Sequence, residues 1–545
     1  MMQVGRPSGR SRSEQRPQGD GGWSLKFGWS LAFHGSRRLG PIMTIALVLA
    51  ALVPATASAS GYDPASDMNS MYNTTQYVGA TAYWDAGYTG AGVDVAVIDT
   101  GVAPVEGLTT AGKVINGPDL SFESQSDSLR YLDTNGHGTL MAGLIAGKDS
   151  TLSAPYSQSP ASEYRGIAPD ARIVSLKVGM ADGGVDVSQV IAAINWVVQH
   201  RNDNGMNIRV LSLSYGTNST QPYEVDPLAF AVEQAWDRGI FVVAATGNSG
   251  YVARTGTLTN PAYHPKIFAV GASDSMGTAT LEDDTVPAFS STGSKDRTPD
   301  VVAPGSHLVG LRVPGSYVDQ RFSATGYVSD RFFRVSGTSA AAAVAAGEAA
   351  LVIQQRPTIT PDKLKKLFLM TTQRLGGLST QRAGAGVVDL RATLTAPAFT
   401  APAKWNHIAR STGTGSLERS RGSDHLTMDG VVLSGEQDIF GQSFNAPAMA
   451  ALGAAGTSWS NGIWNGSTWS GSSWSGDSWS GDSWSGCTWS GDSWSGSTWS
   501  GSTWSGDSWS GSTWSGDSWS GSTWSGDSWS GDSWSGSTWS TGSWN

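Results

Sequence analysis

Cysteine is almost absent from this 545-residue chain: Cys487 stands alone, so no intrachain disulfide can form and the fold must rest on packing. Its position inside a repeat reads as a chance replacement, although an unpaired thiol in an exported chain can also link two copies. Charge is sparse as well, at 15% of residues, and cationic charge stops altogether at Arg421. Eleven acidic residues follow that arginine, whereas residues 1–421 carry 35 basic and 34 acidic groups. A balanced body with an acidic tail gives a nucleic-acid partner no electrostatic footing. Long apolar runs are also missing. The run from Ile42 to Val53 has 12 residues, too few to span a bilayer comfortably, so no transmembrane anchor is expected. Polar and basic residues precede that run, ending in Arg37 and Arg38, and Ala57-Ser58-Ala59 follows it. This order reads as a secretory leader over residues 1–59, cleaved after Ala59, and so as a secreted protein. The arginine pair is a weak pointer to twin-arginine export.

What the chain does contain is enough hydrophobic residues, 39%, to bury a sizeable core, and an alternation of strand and helix patterns from about Gly87 to Leu390. Val93 to Ile98, Ile173 to Val178, Arg209 to Leu213, Ile240 to Ala245 and Ile267 to Val270 are short runs rich in β-branched and other apolar residues that predict strands. Val187 to His200 repeats apolar residues at helical spacing, and Pro227 to Arg238 predicts a second helix stopped by Gly239. Thr338 to Gln355 is alanine-rich around much of its circumference, which suits a helix buried among close neighbours. Thr360-Pro361-Asp362 opens one more, through Leu369. The expected fold is α/β, a doubly wound parallel sheet with helices on both faces. Its domain would run over residues 82–395, after a short N-terminal segment, 60–81. Residues 396–456 lose apolar periodicity and read as a connector with isolated short strands such as Gly430 to Leu433.

From Trp459 to Trp544 tryptophan recurs every fifth residue, 18 times, among serine, glycine, threonine and aspartate. The repeat tail is bounded at residues 457–545. An odd period places successive rings on opposite faces of an extended strand, and the glycine and serine disfavour helix. A β-solenoid or a tryptophan ladder is one outcome, because stacked repeats share a core that a single unit lacks. A disordered linker is the other, but it has no use for so many sticky rings. Cell-wall polysaccharide stacking and self-association are both open to such a tail, the first giving attachment of the secreted protein to a cell surface and the second its assembly.

Four short motifs fall where strands end or helices begin. Asp99-Thr100-Gly101 puts a carboxylate at the carboxyl end of a parallel strand, where open α/β sheets bind ligands. The same triplet marks aspartic proteases, but they need a second copy and there is none. Asn135-Gly136-His137-Gly138-Thr139 places an imidazole at a helix start, and Ser336-Gly337-Thr338-Ser339 opens the alanine-rich helix with three hydroxyls competing to cap it. Thr246-Gly247-Asn248-Ser249-Gly250 sets an amide on another strand end, a turn residue or a donor to a developing oxyanion.

Together these motifs, in the order Asp, His, Ser, resemble the subtilisin-like serine proteases over roughly Ala82 to Leu390. Leu213-Ser214-Tyr215-Gly216 and Val301-Val302-Ala303-Pro304-Gly305 add to the match. The resemblance implies Ser339 as nucleophile, His137 as general base and then acid, and Asp99 as the group that orients and stabilises His137. It implies Asn248 and the Ser339 N–H as oxyanion donors, and Ser214, Tyr215 and Gly216 as a strand that pairs with extended protein or peptide substrates. No cofactor is required for such catalysis. Relatives often bind calcium for stability, but no loop here spaces its oxygens as an EF-hand does, so structural calcium has no assigned ligands. Ala340 stands where the family commonly has methionine, which predicts tolerance of peroxide. Only residues 60–81 lie between the leader and the family-like region, too few for the usual inhibitory prosegment. The competing expectations are a noncatalytic adhesin or pseudoprotease whose tail carries the function, and an esterase using the same triad.

Overall fold

The computed structural model describes residues 61–126, 128–251, 256–398, 408–428, 431–468 and strand segments between 473 and 544. The leader read over residues 1–59 lies outside them. Helices α1 (Met71–Tyr77) and α2 (Ala80–Asp85) precede the first strand. The strands are β1 (Asp94–Asp99), β2 (Val114–Asp119), β3 (Arg172–Lys177), β4 (Ile208–Leu213), β5 (Phe241–Ala245), β6 (Phe268–Ser273), β7 (Val301–Pro304), β8 (Leu308–Leu311), β9 (Phe332–Val335), β10 (Thr372–Gln373) and β11 (Val387–Val388). Between and after them run α3 (His137–Ala146), α4 (Val187–His200), α5 (Pro227–Asp237), α6 (Tyr317–Gly326), α7 (Thr338–Gln355) and α8 (Pro361–Met370).

Nine strands form one sheet in the order β10-β11-β7-β6-β5-β4-β1-β3-β2, parallel throughout except for the β10–β11 edge pair. β1, β4, β5 and β6 read as near-continuous apolar runs because helices cover both faces, and every residue of β1 and β5 is buried. Chain order reverses at β1, which pairs with β3 on one side and β4 on the other. That reversal opens a crevice at the carboxyl ends of the strands.

Local chemistry sets the helix starts. Asp186 caps α4 by accepting from the Ser188 N–H at 2.9 Å, while Gln189 Oε1 reaches back to the Asp186 N–H at 2.7 Å, a complete capping box. Asp226 caps α5, with Pro227 in its first turn. Helix α7 crosses the molecule, packing on α3 and on β4, β5, β6 and β7, and every residue from Ala340 to Ile353 is buried. Small side chains are what allow that many neighbours to approach one helix.

Two segments have more structure than their sequence patterns predict. In the N-terminal segment Met71, Val78, Ala80, Tyr83 and Trp84 all enter the main core, so residues 61–85 are built into the domain. The region expected to be a connector carries helices Leu417–Arg421 and Ala446–Ala455 and docks on α4 and α5. Arg421, fully buried, pairs with Asp186 at 2.6 Å and donates to the Gly435 carbonyl at 2.6 Å. Trp459 and Trp464, the first two rings of the repeat, are buried as well, and Trp459 Nε1 donates to the Ala192 carbonyl at 2.9 Å. Leu417, Phe440, Phe444 and Met449 join these rings in the core, spaced too irregularly along the chain to read as an apolar stripe.

Further along the tail, short strands pair in parallel with the strand three repeats on. Trp474 is in register with Trp489, Trp489 with Trp504, and Trp504 with Trp519. Among the described residues no helix is long and apolar enough to cross a membrane.

Candidate active site

Asp99 is the last residue of β1, at the point where strand order reverses. Its Oδ1 lies 2.7 Å from His137 Nδ1 and also accepts from the Thr100 N–H at 2.8 Å. His137 is the first residue of α3, and its helix start is brought onto the Asp99-Thr100-Gly101 turn by Gly138. A Cβ at position 138 would stand 2.2 Å from the Gly101 carbonyl oxygen, so only glycine allows this approach.

A buried carboxylate that sequence reasoning missed ties the two motifs together. Asp133 accepts from the N–H groups of Gly136 and Thr139, both at 2.7 Å, and from the Thr139 hydroxyl at 2.6 Å. Thr100 Oγ1 donates to Asp133 at 2.8 Å and accepts from the Gly138 N–H at 2.9 Å. The available clue was an acidic residue just ahead of a helix start, where unpaired N–H groups gather.

Burial pulls the His137 pKa down, but the charge of Asp99 and its hydrogen bond outweigh that, and the imidazole ends above its ordinary value. The ring is 29% exposed, so one face remains open to a ligand. The Asp99 carboxylate also fixes the tautomer, because Nδ1 carries the proton it donates and Nε2 is left as the basic nitrogen.

Ser339 is the second residue of α7, and the two hydroxyls that compete with it in sequence are engaged elsewhere. Ser336 Oγ accepts from the His307 N–H at 2.8 Å, and Thr338 Oγ1 lies 3.1 Å from Asn248 Oδ1. The Gly337 N–H donates to the Gly305 carbonyl at 2.8 Å, so the turn after β7 holds the serine loop in place.

Asn248 follows β5. Its Oδ1 accepts from the Thr338 N–H at 2.9 Å, an unambiguous donor, so the amide can face only one way and Nδ2 is left free of that bond. The point a Cβ on Gly337 would occupy is 3.6 Å from Asn248 Nδ2 and 3.8 Å from the Ser339 N–H nitrogen. The same point is 3.9 Å from Asn248 Oδ1, so the Asn248 amide and the Ser339 backbone nitrogen both lie beside the start of α7.

Ser339, Asn248 and Ser214, Tyr215 and Gly216 line a single cleft of about 250 Å³. Asp99, at the end of β1, and His137, at the start of the neighbouring α3, form their own bonded pair, and no hydrogen bond joins His137 to Ser339 among the described residues. Serine–base bonds are often long before substrate arrives.

A doubly wound sheet with a carboxylate–imidazole pair at its switch point, next to a helix with a serine in its first turn, is the frame of a serine hydrolase. The sequence matches the Subtilase family over residues 90–387, more than half its length. The chain belongs to that family, and with it to the subtilisin-like serine protease hydrolases. It is similar to the serine protease AprX of Bacillus subtilis, 37% identical over 308 residues that take in 55% of this chain and 66% of AprX. Subtilisin DY of Bacillus licheniformis is 32% identical over 291 residues, 53% of this chain and 87% of that protein. The minor extracellular protease Epr of Bacillus subtilis is 30% identical over 320 residues, 58% of this chain and 41% of Epr. The chain thus spans about two thirds of AprX and less than half of Epr.

Proposed function

We propose that this protein is a secreted serine endopeptidase that cleaves exposed protein chains through an acyl-enzyme, and that its repeat tail attaches or assembles it at a surface. The observation that carries the catalytic part is the 2.7 Å Asp99–His137 bond, which leaves Nε2 as the free base.

Ser339 Oγ attacks the scissile carbonyl carbon and passes its proton to His137 Nε2. Asp99 stabilises the imidazolium that results. The carbonyl oxygen becomes an oxyanion in the volume between Asn248 Nδ2 and the Ser339 N–H, where such donors act most strongly in the transition state. The tetrahedral adduct collapses as His137 returns the proton to the leaving amine. Water then repeats the sequence on the acyl group and frees Ser339. Ser214, Tyr215 and Gly216 hold the peptide as an added strand through main-chain bonds, which accepts many sequences. These steps run on groups of the chain itself and call for no cofactor. Structural calcium is not assigned a site.

The tail reading draws on the parallel register of its strands, which suits a solenoid whose turn takes three pentapeptides. Tryptophan-rich faces of that kind would suit polysaccharide stacking or self-association.

The test of catalysis pairs a fluorophosphonate probe with casein cleavage, on the wild type and Ser339→Ala. Labelling and cleavage lost together in the variant are the expected result. A folded wild type silent in both would move the function to the tail, as in a pseudoprotease.

A further inference from the structure

The family match ends at residue 387, yet residues beyond it reach the cleft. Asp424 lines the same cavity as Ser339, Asn248 and Ser214–Gly216, and is the only charged residue among its lining groups. Its Oδ2 accepts from the Asn218 N–H at 2.8 Å, and the side chain is exposed. Among the described residues it has no cationic partner.

The segment that carries Asp424 is clamped along the continuation of the Ser214–Gly216 strand. The Thr220 N–H donates to the Arg419 carbonyl at 3.0 Å, and Ser420 Oγ donates to Asp226 at 3.0 Å. Gly422, at φ +65°, lies against Asn218, and a Cβ there would meet the Asn218 carbonyl oxygen at 2.0 Å. Arg421, one residue earlier, is fixed by its buried pair with Asp186. Two residues after Asp424, the Leu426 side chain comes within 3.0 Å of where a Gly184 Cβ would stand, close to the exposed carboxylate of Asp182. A rigid loop from outside the matched domain therefore sets a fixed negative charge beside the strand that would hold the peptide.

We propose that Asp424 is a specificity-determining residue that selects a lysine or arginine side chain at one position preceding the scissile bond. This deepens the peptidase reading and rests on it. The energy scale is that of a solvent-exposed ion pair, so the preference is moderate and salt-sensitive.

The test measures kcat/KM on matched peptides that differ only in Lys or Glu at successive positions before the cleaved bond, with fluorophosphonate labelling in parallel. The wild type is expected to prefer Lys about fivefold at one position, and less in 1 M salt. Asp424→Asn, which keeps an acceptor for the Asn218 N–H, should bring the ratio to near one, and Asp424→Lys should invert it. A wild type that labels but discriminates nowhere, or an Asp424→Asn protein that keeps the preference, overturns the assignment while leaving the peptidase intact. A wild type that does not label at all overturns both.

Discussion

Glu348 sits in the middle of α7, fully buried, and neither of its carboxylate oxygens has a hydrogen-bond partner among the described residues. Burial, with the nearby charge of Asp389, pushes its pKa well above the ordinary carboxylate value, so the folded protein holds it as the neutral acid. The unfolded chain releases that proton near pH 4.5, the folded chain only at a much higher pH. Its contribution to stability is therefore full below about pH 4.5 and is lost as pH rises through the folded pKa, by up to about 1.4 kcal/mol per pH unit. Glu348→Gln removes this dependence. Urea unfolding from pH 5 to 8 should show the variant gaining on the wild type at each step, and parallel curves would mean that Glu348 is charged in the fold. Nothing in the sequence marks this residue except its place among alanines. Asp99, His137, Asn248 and Ser339 were legible because each sits in a turn between glycines or hydroxyls at an element boundary. Asp133 was not, since its partners are backbone N–H groups that a residue pattern does not display.

Among the elements, the strands and long helices were the easiest to read. α4 and α7 have the bounds their spacing predicts, and the five predicted strands are found within a few residues of their expected ends. Burial on both faces makes such elements apolar throughout. Residues 408–468 escaped because their hold on the domain combines the Arg421 pair and hydrogen bonds with apolar side chains scattered far apart in sequence, Leu417, Phe440, Phe444, Met449, Trp459 and Trp464. That anchoring predicts a large single-site effect. Arg421→Met leaves Asp186 charged, buried and unpaired, which costs about 3–5 kcal/mol for a pair of this kind. Thermal or urea unfolding measures it. A loss below 1 kcal/mol would mean that the segment is held without the pair. The hairpin β8–β9 and helix α6 also went unread, being short elements with weak or mixed patterns.

For the whole molecule, the boundary between domain and tail moves. Trp459 and Trp464 belong to the packed domain, so a deletion that starts at residue 457 removes core rings along with repeats. A chain ending at residue 468 keeps both. It is expected to retain fluorophosphonate labelling and thermal stability while losing retention on cell walls or glycan beads, read by pull-down against the full chain. Equal retention would remove attachment from the tail's role.

The clamp between Arg421 and Asp186 also orders events in time. A ribosome delivers β1, α3 and α7 long before residue 421, so Asp99, His137 and Ser339 are all on an emerging chain before the Asp424 side of the cleft exists. Until the last part of the domain is threaded out and the two rings of Trp459 and Trp464 are seated, the cleft of the nascent protein lacks one wall. The Asp424 wall is then the last part of the cleft to be laid down, with the repeats still to follow it along the chain.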